Sequence, residues 1–129
     1  MSNNETFQAA VVQAGSVVYD TPATLEKLVQ LTNSAARQGA KLVVFPEAFI
    51  GGYPKGLDFG ARLGTRSDEG RDEFRRYFEG AIEEHGPESD VLSGVARSSK
   101  VYLVVGVIER AGGTLYCSVF FYGPEGQYL

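Results

Sequence analysis

The chain has 129 residues, a net charge of −4, 43% hydrophobic residues and a single cysteine. This composition fits one soluble globular domain with a real core. The basic residues are scattered, which excludes a nucleic-acid or acidic-membrane footprint, and no apolar run is long enough to span a membrane. With no hydrophobic signal region and no possible internal disulfide, we expect a cytoplasmic protein.

The first part of the chain predicts a strand, a helix and a second strand. Residues 7–13 read as the first strand. Thr21 is predicted to cap the helix, with Pro22 at its first position, and Gly39 is predicted to end it. The second strand, residues 41–45, has an apolar run that does not alternate, so we expect both of its faces to be covered.

A polar loop over residues 56–66 and a second helix are predicted next. Ser67 can cap this helix, acidic residues follow near its positive end, and an apolar stripe continues to Ile82. Gly86 and Pro87 are predicted to break the helix. A shorter helix follows, with its inward face formed by Val91, Leu92, Val95 and Ala96.

The last third of the chain predicts strands. Residues 101–108 and 114–122 form two strands joined by a glycine turn at 111–113. Another turn at 123–126 leads to the start of a fifth strand at 127–129. The element order indicates an α/β or α+β protein, and the terminal strands are expected to expose a hydrophobic edge.

One carboxylate, Glu47, is placed at the C-terminal tip of the second strand. A glycine-rich bend, residues 51–56, follows it. Ligands and catalytic groups collect at this end of the strands in open α/β sheets. The apolar neighbours Phe45, Phe49 and Ile50 predict poor solvation, which raises the pKa of a carboxyl group and suits it to accept protons near neutral pH. The alternative is an ordinary solvated loop residue.

The stretch FPEAFIGGYPKG, which contains Glu47, resembles the nitrilase branch of the carbon–nitrogen hydrolase superfamily. The resemblance extends over essentially the whole chain. It implies an α/β fold, the N-terminal half of a four-layer α-β-β-α sandwich. It also implies a Glu-Lys-Cys catalytic set in which Glu47 is the general base. The lysine and cysteine positions fall past Leu129, so residues 1–129 are expected to be a partial domain.

The resemblance implies that the parent protein hydrolyses a nitrile to a carboxylic acid and ammonia. A cysteine would carry thioimidate and thioester intermediates, and no cofactor is expected. Homo-oligomers, either dimers or spirals, are also implied, together with a small-molecule nitrile as substrate and no nucleic-acid or membrane partner. The alternatives are an amidase of the same superfamily, or a non-catalytic fragment or assembly module.

Four further side chains have competing interpretations. Tyr53 is either a wall of the substrate pocket, approached through the preceding glycines, or a loop aromatic. Lys55 is more simply a solvated lysine than the catalytic cation. Cys117, the single thiol, is expected to be a small buried hydrophobe inside a strand and not the nucleophile. His85 is expected at the end of the second helix, and without a second histidine or clustered cysteines no metal site is predicted.

Overall fold

A computed structural model describes residues 4–60 and 66–129 of the chain. The elements follow in the order β1 (Gln8–Val11), α1 (Thr21–Arg37), β2 (Ala40–Val44), α2 (Asp68–Glu79), α3 (Pro87–Ser99), β3 (Tyr102–Ala111) and β4 (Thr114–Tyr122). The sheet has the order β1-β2-β3-β4, in which the first three strands are parallel and β4 is antiparallel to β3. The predicted α/β order is confirmed, and the bounds of β4 are those predicted.

The main core lies between one face of the sheet and the helices α1 and α3. Both helices and three of the strands contribute buried side chains to it: Leu25, Leu28, Val43, Leu92, Val95, Leu103, Val105 and Phe120. Each such apolar side chain contributes about 1.5–3 kcal/mol when it leaves water. This covered face fixes the register of the strands, because a slip of one residue would turn the whole apolar set outward.

The other face of the sheet, the open face, is uncovered in the described chain. Val43 is fully buried beneath the helices, whereas Leu42 and Val44 on the opposite side are only half-buried. Tyr102 and Phe121 on the same side are exposed. The prediction that both faces of β2 are covered is therefore wrong for the described residues. An apolar concavity of about 670 Å³ lies on this face.

The start of α1 differs by one residue from the prediction. The capping group is Asp20, whose carboxylate accepts a hydrogen bond from the backbone N–H of Ala23 at 3.0 Å. Thr21 is already helical, and its hydroxyl donates instead to the carbonyl of Gly80. Gly39 follows the helix with a φ of 96°, as expected of a glycine that ends a helix.

The second helix begins as predicted but ends earlier. Ser67 caps α2 by accepting a hydrogen bond from the N–H of Gly70 at 3.1 Å. The helix stops at Glu79 because Ile82 leaves it to form a parallel bridge with Glu109 of β3. Gly86 and Pro87, which were predicted to break the second helix, instead form the start of α3: Gly86 precedes the helix and Pro87 is its first residue.

His85 therefore lies six residues beyond the end of α2, in the turn that precedes α3. It is exposed, and its ring lies 5.5 Å from the ring of Tyr128. The predicted interaction with the dipole of α2 is wrong, because the helix ends too early to reach this residue.

The remaining predictions concern the end of the chain and the loop. Tyr128 forms a single antiparallel bridge with Tyr122, and the N–H of Leu129 donates to Phe121, so the predicted fifth strand is only a bridge. Part of the predicted loop 56–66, residues 61–65, lies outside the described residues. No helix in the described part of the chain is long and apolar enough to cross a membrane.

Candidate active site

Glu47 lies just after β2, where the backbone leaves the sheet for a few residues and then returns alongside β3. The N–H of Phe45 still donates to the carbonyl of Val104 at 2.8 Å, as in a regular sheet. The chain then leaves the sheet and returns at Ile50, whose N–H donates to the carbonyl of Gly106 at 3.1 Å. Phe45 and Phe49 are buried at the two ends of this excursion, which we call the Glu47 loop (residues 45–50).

A glycine in β3 lets the Glu47 loop cross the open face. A Cβ at Gly106 would lie 2.3 Å from the carbonyl oxygen of Pro46, 2.5 Å from the Cα of Glu47 and 2.7 Å from the nitrogen of Ala48. These are all backbone atoms, so no side-chain movement could make room. Glycine within a strand marks such close approaches of another backbone. Gly106 therefore sets the height at which Glu47 lies above the sheet.

The hairpin of β3 and β4 brings Cys117 to the same place. Cys117 lies opposite Ile108 in the ladder, and Gly106 lies opposite Val119. Residues at these positions face the open side, because Val107 between them in β3 and Phe120 next to Val119 in β4 pack in the covered core. The Cys117 Sγ lies 3.3 Å from the Glu47 Oε1, within the range for a hydrogen bond from a thiol.

Glu47 borders a concavity of about 560 Å³ at this end of the open face. Its lining comes from the Glu47 loop, the following bend, α2 and the hairpin: Glu47, Ala48, Tyr53, Pro54, Lys55, Tyr77, Ile108, Leu115, Tyr116 and Cys117. The side chain of Glu47 is exposed, so the predicted poor solvation is wrong for the described chain. The apolar neighbours Phe45, Phe49 and Ile50 all turn into the core, away from the carboxylate.

The prediction for Cys117 is also wrong, because its side chain is exposed and not buried. Although the side chain is exposed, partial desolvation of the sulfur raises the pKa of the Cys117 thiol, and the hydrogen bond and the charge of Glu47 raise it further. At neutral pH the group is therefore a thiol and not a thiolate. This is the opposite of what a nucleophilic cysteine requires.

Tyr53 and Lys55 lie on the rim of the same concavity. Tyr53 is 59% exposed, so its ring is free to meet a ligand, and the bend before it is formed by Gly51 and Gly52 with φ values of 105° and 93°. Lys55 is exposed and forms no ion pair within residues 4–60 and 66–129. The structure thus places both residues beside Glu47, and among the described residues neither has a hydrogen-bond or ion-pair partner.

One buried tyrosine of α2, Tyr77, connects this helix to the floor of the site. The hydroxyl of Tyr77 donates to the carbonyl of Gly52 at 3.0 Å, which ties the helix to the bend after Glu47. Tyr77, Ala48 and Ile108 also belong to a small second core. Burial, followed by the proximity of Cys117 and Tyr19, raises the pKa of Tyr77 to about 12 from an ordinary value of 10.0.

The variant Tyr77→Phe is expected to lower the free energy of unfolding by about 1 kcal/mol at neutral pH, because the carbonyl of Gly52 loses its donor. The folded state requires a neutral phenol. The contribution of the phenol is therefore complete below about pH 10 and disappears as the pH rises through about 12.

Urea unfolding at a series of alkaline pH values measures this dependence. The stability of the unmodified chain should fall more steeply above about pH 10 than that of Tyr77→Phe. Tyr102→Phe, at an exposed tyrosine, is the matched control and should fall as steeply as the unmodified chain. Equal slopes for all three proteins would contradict the role of Tyr77.

Sequence reasoning missed three contributors to the site: Gly106, Tyr77 and the open-face position of Cys117. A glycine inside the apolar run VYLVVGVI was the signal for a close backbone approach. Alternation along β4 from the apolar Phe120 would have placed Cys117 on the other face. Tyr77 gave no signal beyond its place in the apolar stripe of α2.

The described residues contain no group of three or more His, Cys, Asp or Glu side chains that could hold a metal ion. The polar atoms of the concavity instead suit proton transfer. Glu47 supplies an acceptor, while Tyr53 and Lys55 supply donors. A carboxylate at the mouth of an apolar-floored concavity can act as a general base.

The sequence matches the carbon-nitrogen hydrolase family over residues 8–129. It is 55% identical over 127 residues to a bifunctional nitrilase/nitrile hydratase of Lupinus angustifolius, covering 98% of this chain and 36% of that protein. It is 56% identical over 128 residues to one of Nicotiana tabacum, covering 99% and 37%. Nitrilase 2 of Arabidopsis thaliana is 50% identical over 129 residues, covering 100% and 38%. The chain thus spans less than two fifths of these relatives.

Solved structures show the same fold. An amidase from Nesterenkonia sp. superposes with a TM-score of 0.64 at 22% identity, covering 94% of this chain and 40% of that one. A CN-hydrolase superfamily protein from Xanthomonas campestris superposes with a TM-score of 0.68 at 18% identity, covering 95% and 38%. The predicted nitrilase-type α/β fold is confirmed.

A strand-end carboxylate over an α/β sheet, together with these matches, defines the class. The chain belongs to the carbon-nitrogen hydrolase family.

Proposed function

We propose that this chain is the N-terminal part of a nitrilase, and that Glu47 is its general base. The position of Glu47 carries the proposal. The carboxylate is held over the sheet by a loop anchored at both ends, and it faces a concavity with an aromatic rim. The three relatives described above, which are 50–56% identical to this chain, carry the word nitrilase in their names. Their greater length supports the expectation that the lysine and the nucleophilic cysteine follow Leu129.

In the proposed reaction Glu47 accepts the proton of the nucleophilic thiol, and the sulfur attacks the nitrile carbon. The proton passes to the nitrile nitrogen, which gives a thioimidate, while the lysine stabilises the developing negative charge. Glu47 then activates water, which adds to this intermediate and expels ammonia to leave a thioester. A second water releases the carboxylic acid. One nitrile and two waters thus give one acid and one ammonia.

Cys117 does not serve as this nucleophile in the proposal. Its pKa is raised, and the adjacent carboxylate keeps the proton on the sulfur at neutral pH. It also lies within a regular strand and not at a helix N-terminus, the position that would stabilise a thiolate. Residues 1–129 alone therefore lack a competent nucleophile, and the isolated chain is a non-catalytic fragment under this proposal.

A second candidate is hydration of the nitrile to an amide, which consumes one water and releases no ammonia. Two relatives that are 55% and 56% identical carry the name bifunctional nitrilase/nitrile hydratase. Glu47 would again be the general base. After water adds to the thioimidate, however, the intermediate would expel the cysteine thiol, which leaves the amide, instead of ammonia. The third candidate function is that of an amidase, which hydrolyses an amide, whereas the first two candidates act on a nitrile.

Assembly and location are also part of the proposal. Homo-oligomers, as dimers or spirals, are expected from the family resemblance, and the exposed apolar open face is a surface that favours association. We propose a cytoplasmic location, a small-molecule nitrile as substrate, no cofactor, and no nucleic-acid or membrane partner.

The test is product analysis with the longer protein that contains this chain. Incubation with an aliphatic or aromatic nitrile should yield ammonia and carboxylic acid in equal amounts, with amide as a side product. The corresponding amide, offered alone, should react more slowly. Purified residues 1–129 are the control and should release no ammonia. Turnover of the amide but not the nitrile would contradict the proposal in favour of an amidase.

A further inference from the structure

We propose that the thiol of Cys117 is a positioning group that holds the carboxylate of Glu47 by donating a hydrogen bond to it. The Cys117 Sγ lies 3.3 Å from the Glu47 Oε1. This inference rests on the proposed function of Glu47 as general base. It gives a task to a thiol that the proposed mechanism does not otherwise use.

The contact is built by two elements far apart in the sequence. The Glu47 loop reaches over Gly106, and the hairpin ladder places Cys117 opposite Ile108, so both side chains emerge on the same face. Gly106 and Ile108 flank the contact in β3, and Cys117 lies in the regular part of β4. A donor fixed in a paired strand can therefore hold a carboxylate that lies on a loop.

The thiol engages only one of the two carboxylate oxygens. Within residues 4–60 and 66–129, the Oε2 of Glu47 accepts no hydrogen bond. This arrangement leaves Oε2, on a side chain that borders the concavity, available to take a proton from a nucleophile or from water. An ordered Oε1 also restricts rotation of the carboxylate, so Oε2 is held in one direction.

The direction of donation is fixed by charge. Two adjacent anions would repel each other, so the negative carboxylate keeps the proton on the sulfur, consistent with the raised pKa of Cys117. A hydrogen bond donated to the charged form of an acid favours that form. The thiol thus stabilises the ionised carboxylate that a general base needs at the start of each turnover.

Other titratable groups face the same concavity: Tyr53 and Lys55 from the bend, Tyr77 from α2 and Tyr116 from β4. None of them forms a hydrogen bond or ion pair with Glu47 among the described residues. Among the described residues, Cys117 is therefore the side chain that the structure shows donating to Glu47, and its replacement isolates the loss of that donor.

The experiment is the measurement of kcat and KM for nitrile hydrolysis by the longer protein carrying Cys117→Ala, Cys117→Val or Cys117→Ser. Without a donor the carboxylate of Glu47 is no longer held in one direction, so kcat should fall several-fold in the Ala and Val variants with KM little changed. A serine hydroxyl also donates, so Cys117→Ser should retain a kcat several-fold above that of the Ala variant.

The control is Val119→Ala, a truncation at the next exposed position on the same face of β4, which should leave kcat and KM unchanged. A kcat in the Ala and Val proteins equal to that of the unmodified protein would overturn the inference. An equal loss of kcat in all three Cys117 variants, serine included, would also overturn it, because it would indicate packing and not donation. Failure of the longer protein to hydrolyse any nitrile would instead refute the proposed function.

Discussion

Replacing Glu47 by glutamine in the longer hydrolase should lower kcat for nitrile hydrolysis by on the order of a hundredfold or more, with KM nearly unchanged. The amide has the shape of the carboxylate, and its oxygen can still accept the hydrogen bond from Cys117. It cannot accept a proton from a thiol or from water. The loss should therefore fall on the chemical steps and not on substrate binding.

Fixed-time assays of ammonia release at saturating nitrile measure this loss of kcat. Glu125→Gln, at an exposed glutamate in the turn after β4, makes the same change of charge away from the concavity and should keep the full rate. Circular dichroism should give identical spectra for both variants, since neither change alters the core. A Glu47→Gln enzyme within a factor of two or so of the unmodified rate would refute the assignment of the general base.

The variant Gly106→Ala should lower the free energy of unfolding by about 3 kcal/mol, at the upper end of the usual cost of overpacking. The added methyl would lie 2.3–2.7 Å from three backbone atoms of the Glu47 loop, and backbone cannot move aside as a flexible side chain can. Relief requires the loop to rise from the sheet, which displaces Glu47 from Cys117. Activity should therefore fall even at temperatures where the protein remains folded.

Gly94→Ala is the matched control for this prediction. Gly94 lies inside α3, and a Cβ there would meet no atom within 4 Å. Because alanine is the better helix former, this variant should be more stable by about 0.5–1 kcal/mol and fully active. Chemical denaturation and ammonia release compare the two variants directly. Equal stability and activity of Gly106→Ala and the unmodified protein would show that the loop does not depend on this close approach.

Local patterns in the sequence predicted most of the elements, because those elements depend on nearby residues. The cap at Ser67 and the strand β4 follow from short-range signals and are confirmed. At the start of α1 the prediction chose Thr21, whereas the capping position is occupied by Asp20, a residue type that caps helices more strongly than threonine. The hydroxyl of Thr21 is instead used by a contact with Gly80, which is 59 residues away.

The errors about the site come from contacts between distant parts of the chain. The second helix ends at Glu79 because Ile82 pairs with β3, and no local signal carries that information. The position of Glu47 at a strand end was predictable from the apolar run before it. Its exposure was not, since solvation depends on what covers the open face. The meeting of Cys117 with Glu47 depends on the register of the hairpin.

The crystal structure of the longer protein would test the central claim most directly, through the distance from the Glu47 carboxylate to the nearest sulfur other than that of Cys117. We predict a second thiol within about 3–4 Å of the Glu47 Oε2, close enough for proton transfer. A carboxylate that faces bulk water, with no second thiol near it, would contradict the account.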